Sequence, residues 1–162
     1  MSISTSTSTR SVTLPSAPVL IGAVYAVCVL GLLAIFTGAI VFTDVDPYKS
    51  EGPIDSIISV GLIGTLALAI GVGLSLWLVR TPERAAVGAV VLGTLSVLSL
   101  VVFWSGAPGV FGACAAWLGG LTRGSRPLGG AARVAGIVGA FIAGLNIVLT
   151  VGGSVIAMIT GS

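Results

Sequence analysis

Residues 85–121 read AAVGAVVLGTLSVLSLVVFWSGAPGVFGACAAWLGGL, an uncharged and largely apolar run with Arg80 and Arg84 before it and Arg123 and Arg126 after it. As one straight helix the run would be about 55 Å long, against the roughly 30 Å of hydrocarbon in a bilayer. It has to break, and Ser105-Gly106-Ala107-Pro108-Gly109 supplies the place. Proline lacks an amide hydrogen and disfavours helix in the residue before it, while glycine accepts positive φ. The stretch therefore predicts two membrane crossings joined by a tight turn at Gly106, Pro108 and Gly109, with both arginine-bearing flanks on one side.

Composition points to the same solvent. Hydrophobic residues make up 56% of the 162-residue chain, charged residues 7%, and the mean hydropathy is +1.18, values that belong to a bilayer protein. Apolar runs occupy nearly all of the length, leaving no room for a separate water-soluble catalytic domain. The net charge of +2 sits on particular loops. It reports orientation toward the lipid bilayer, and no nucleic-acid partner is expected.

Working outward from the central run gives an all-α, polytopic transmembrane helix bundle of five spans, at about 17–43, 54–79, 85–104, 107–121 and 134–159. Residues 1–16, rich in alternating serine and threonine, read as a disordered cytoplasmic tail, and 17–162 as one transmembrane domain. The first apolar run is about twice the length of a signal-peptide core, so it is kept as an uncleaved span. The fourth is shorter than the usual 17 to 25 residues, which leaves a full crossing and a re-entrant piece both open.

Charge placement orients the bundle. Five spans put Arg10, Arg80, Arg84, Arg123, Arg126 and Arg133 on one side and Lys49 on the other. Cytoplasmic loops are enriched in arginine and lysine, so the N-terminus is expected inside, the C-terminus outside, and the protein in the plasma membrane. A four-span alternative would split the arginines between the two sides. Trp77 and Trp117 are expected near the arginine side, and Phe42, Tyr48, Phe103 and Trp104 near the other.

Helices in lipid associate by close backbone approach, so small residues four apart mark the seams. Three such ridges are expected to pack: Ala85, Ala89 and Gly93; Gly112, Ala116 and Gly120; and Gly136, Ala140 and Gly144. Gly64, Ala67 and Gly71 add a face from the second span.

The chain has no histidine, and no ionisable side chain falls at mid-depth of a span. Proton relays and ion-coupled carriers use such groups, and intramembrane enzymes need a nucleophile with a base or a metal. No catalytic residue, cofactor or metal is therefore expected, and the protein is read as a non-enzyme. Asn146 is the one strongly polar side chain near the middle of its span. Its amide is expected to bond a neighbouring helix, with Thr65, Thr94 or Ser96 as candidate partners, and structural glue is preferred to a substrate contact. Cys28 and Cys114 fall inside spans and read as inert packing groups. The acidic loop with Asp44, Asp46, Glu51 and Asp55 reads as a solvated face rather than a cation site.

The run from Arg84 through Gly119, followed by a basic loop and a Gly/Ala-rich final span, resembles the small multi-pass membrane proteins of high-GC Gram-positive bacteria. Arginine in excess of lysine and an Ala/Gly/Val bias carry that resemblance, which implies no site residues. Two function classes follow from the residues themselves. The first is a non-enzymatic accessory or assembly protein whose small-residue faces bind a second copy or another membrane protein. The second is a small transporter or channel for a neutral or hydrophobic solute, with Asn146 in its cavity.

Overall fold

Proline stands at the first or second residue of four helices, as Pro18, Pro53, Pro82 and Pro108, where its missing N–H breaks no intrahelical bond. The computed structural model describes residues 14–42 and 53–160. Residues 1–13 of the tail, and Asp44, Asp46, Lys49 and Glu51 of the acidic loop, lie outside them. The elements in chain order are α1 (Ala17–Phe42), α2 (Pro53–Leu78), α3 (Pro82–Leu98), a 3-10 helix (Ser99–Ser105), α4 (Ala107–Leu118) and α5 (Gly130–Thr160).

Among the described residues four stretches are long and apolar enough to cross a membrane: Ala17–Ala34, Gly61–Leu78, Pro82–Phe103 and Gly130–Ile156. The protein is a multi-pass integral membrane protein. α4 is different. Its 12 residues span about 18 Å, well under a hydrocarbon thickness, so the fourth segment expected at 107–121 is shorter than a full crossing. The helix ends at Leu118 because Gly119 and Gly120 follow, the latter in the left-handed region at φ +79°.

α4 is the centre of the molecule and touches each of the other four helices. All of its residues except Phe111 and Trp117 are buried, and Ala113, Cys114, Ala115 and Ala116 are at 0% exposure. The long helices are built the other way round, with Leu30, Leu62, Ile70, Phe141 and Ile156 turned outward. Lipid accepts those side chains at no cost, whereas a helix walled in on every side must be slim. The alanines and glycines of α4 make it so.

The turn between α3 and α4 lies inside the bundle. A Cβ on Gly106 would meet Cys28 of α1, one on Gly64 of α2 would meet the Ser105 carbonyl at 2.7 Å, and Asn146 of α5 bonds Phe103. Cys28, Gly64 and Asn146 each sit near the midpoint of their own helix. α1 runs about 21 Å further beyond Cys28, and α5 about as far beyond Asn146. The α3–α4 hairpin thus reaches only half the height of its neighbours. Phe103, expected near the far interface, is instead at mid-height, because its segment bends across the bundle with non-helical angles at Val102 (φ −116°, ψ 42°).

The opposite ends of the hairpin meet. Arg80, Pro82, Ser125 and Arg126 line one cavity, so the turn before α3 and the loop after α4 share one end of the bundle. The start of the described chain joins them there. Leu14 N–H donates to the Leu121 carbonyl at 3.2 Å and Arg123 N–H donates to the Leu14 carbonyl at 3.1 Å, forming an isolated parallel bridge.

Candidate functional site at the buried hairpin turn

Three polar side chains from three helices, Cys28 of α1, Ser96 of α3 and Asn146 of α5, converge on this turn. Gly106 adopts φ +73°, a conformation that only glycine enters without strain, and lets the chain reverse against Cys28. Pro108 is the second residue of α4, and its carbonyl accepts the Ser96 hydroxyl of α3 at 2.7 Å. Gly109 is the point of closest approach: a Cβ there would lie 2.7 Å from both Asn146 Oδ1 and Val24 Cγ1. Ser105 closes the corner by donating to the Val102 carbonyl at 2.7 Å and accepting Ala107 N–H at 3.3 Å.

Asn146 is 2% exposed and ties three elements together. Its Nδ2 donates to the Phe103 carbonyl at 3.0 Å, and its Oδ1 accepts the Cys28 thiol at 3.4 Å. The expected hydroxyl partners are engaged elsewhere. Thr65 donates to the Gly61 carbonyl and accepts Tyr25 of α1, Thr94 donates back to Val90, and Ser96 is held by Pro108. The backbone carbonyl wins because the hairpin turn, whose carbonyls are not all consumed by helix bonds, arrives at the level of Asn146.

The small-residue ridges separate into residues that pack and residues that do not. On α3, Ala85 and Ala89 are buried and a Cβ on Gly93 would lie 3.2 Å from Ala135 of α5. On α4, a Cβ on Gly112 would strike the Gly139 carbonyl, and Ala116 is fully buried. Gly120 lies past the end of α4 and serves the turn, where a Cβ would strike the Arg126 carbonyl. On α5, Gly136 is 3.2 Å from the Gly119 Cα by the same measure, Ala140 is half-buried, and Gly144 faces outward with nothing within 4 Å. A spacing of four drifts about 40° per step around a helix, so the third member leaves the seam. The seam on α5 alternates four and three, through Ala132, Gly136, Gly139, Ala143 and Asn146. That alternation, near 3.5 residues per turn, was the signal for Gly139 and Ala143.

An asparagine amide is neutral over the whole working pH range, and Cys28 lies beside that amide, the turn and the Thr150 side chain of α5. Among the described residues no group of three His, Cys, Asp or Glu could hold a metal, and Cys28 and Cys114 are free and buried.

At the arginine end, the Arg84 guanidinium lies 5.0 Å over the Trp77 ring, a cation–π contact, while Arg80 and Arg126 face the cavity between the loops. Arg123 is fixed through its backbone to Leu14, and Arg133 is exposed in the first turn of α5. No protein-family model, curated protein or solved structure matches the chain.

Proposed function

We propose that the chain is a non-enzymatic accessory or assembly protein of the plasma membrane, with its N-terminus in the cytoplasm and its C-terminus outside. In this reading α1, α2 and α5 cross the bilayer, and α3 and α4 form a re-entrant hairpin that enters from the cytoplasmic side and returns to it. The shared location of Leu14, Arg80 and Ser125 supports that arrangement, because cytoplasmic loops are the arginine-rich ones.

One observation carries the functional part. Among the described residues Asn146 is the strongly polar side chain nearest the middle of a span; it is 2% exposed, and its Nδ2 and Oδ1 each bond a protein partner, which leaves a passing solute no open access to it. Small residues, meanwhile, face outward. Ala69 and Gly73 of α2 and Gly144 and Gly153 of α5 are exposed, and no atom lies within 4 Å of the Cβ position at any of the three glycines. Val90, Gly93, Thr94 and Ala135 line a groove of about 360 Å³ between α3 and α5. Such faces allow the close approach on which helix association in lipid depends. The partner is a second copy or another membrane protein.

Thiol crosslinking in native membranes tests this. Gly73→Cys and Gly144→Cys both have room for the new side chain, and each should yield a stoichiometric crosslinked species. Proteoliposomes should show no glycerol or urea flux above protein-free vesicles. Flux that disappears in Asn146→Leu, with no crosslinked species, would replace the assembly reading with transport.

A further inference from the structure

The cavity at the arginine end has a composition that the hairpin does not require. It measures about 310 Å³, within the range of small-molecule sites, and is bounded by Arg80 from the α2–α3 turn and Arg126 from the α4–α5 loop. Two arginines from sequence-distant loops are thus brought to one concavity. Among the described residues neither forms a salt bridge. Glu83, in the first turn of α3, is outside the lining, and the neighbouring Arg84 is occupied by Trp77.

Other features shape the wall. Pro82 places the start of α3 at the cavity, and Thr81 makes no side-chain cap to that helix, whose first turn carries Glu83. Gly124 takes φ +85° and turns the loop back beside Arg126. Trp117 and Leu118 give the inner wall an apolar surface, suited to a ligand charged at one end only.

We propose that this cavity binds a phosphoryl group, held by Arg80 and Arg126 and carried either by an anionic lipid headgroup or by a soluble phosphate ester. Guanidinium forks match phosphate oxygens in pairs, which a lysine ammonium cannot do. The proposal is independent of the assembly reading and of which side of the bilayer the cavity faces.

Native mass spectrometry of the full chain in a neutral detergent tests it, with dihexanoylphosphatidylglycerol, dihexanoylphosphatidylcholine and glycerol 3-phosphate as probes. One phosphatidylglycerol should bind in preference to phosphatidylcholine. Arg80→Gln and Arg126→Gln should each weaken binding about tenfold or more, as for a lost charge-assisted hydrogen bond. Arg133→Gln, the same charge change outside the lining, should leave it intact, and all three variants should match the parent in thermal unfolding. If glycerol 3-phosphate displaces the lipid, the physiological source is a soluble ester; if it does not, the source is the membrane. Equal binding of phosphatidylcholine, equal loss in Arg133→Gln, or no binding of either anionic probe would overturn the proposal.

Discussion

The Asn146 side chain of α5 donates to the Phe103 carbonyl across 43 residues of sequence, at 3.0 Å, and so fastens the last long helix to the turn of the hairpin that precedes it. Asn146→Leu removes this bond and the Cys28 contact together. The expected loss is about 1 kcal/mol, the scale of interhelical hydrogen bonds in bilayers. Reversible unfolding in mixed micelles measures it, and an unchanged stability would remove Asn146 from the structural account.

The seam between α4 and α5 gives a paired expectation. Gly139→Ala would place its Cβ 2.6 Å from the Gly112 carbonyl and 2.8 Å from the Ala115 Cβ, backbone and short side chain that cannot step aside. It should cost about 1–3 kcal/mol, as overpacking does. Gly144→Ala, five residues further along the same helix, meets nothing within 4 Å and should be neutral or slightly stabilising through better helix propensity. The same unfolding assay distinguishes them.

Gly106→Ala should destabilise by two separable routes. Its φ of +73° costs a residue with a side chain about 1–2 kcal/mol in any background. Its new Cβ also meets the Cys28 thiol, so in a Cys28→Ala background part of the cost should disappear. A double-mutant cycle reads the coupling, and strict additivity would mean that α1 does not press on the turn.

Much of this was legible in the sequence. The break at Gly106 and Pro108, the return of both arginine flanks to one end, and the bonding of the Asn146 amide to another element all follow from residue chemistry at single positions. The height of the hairpin did not, because hydropathy is the same for a helix facing lipid and a helix facing other helices. Residue size carried that information instead. α4 has alanine, glycine or cysteine at seven of its 12 positions, while Leu, Ile and Val crowd the outer faces of α1, α2 and α5. Gly144 was misplaced for a geometric reason, since a repeat of four does not track a period of 3.6. The partner of Asn146 was hidden because a turn carbonyl has no residue signature.

The most direct test of the central claim, a hairpin that turns at half-height and returns to the arginine end, is cysteine accessibility in sealed vesicles. Thr81→Cys, Ser125→Cys and Val101→Cys are introduced singly with Cys28 and Cys114 replaced by alanine. Val101 is 78% exposed on the outside of the hairpin, so it reacts wherever water reaches it. Residues 81 and 125 should label from the same side and residue 101 from neither. Labelling of 125 from the side opposite 81, or of 101 from the far side, would contradict the account.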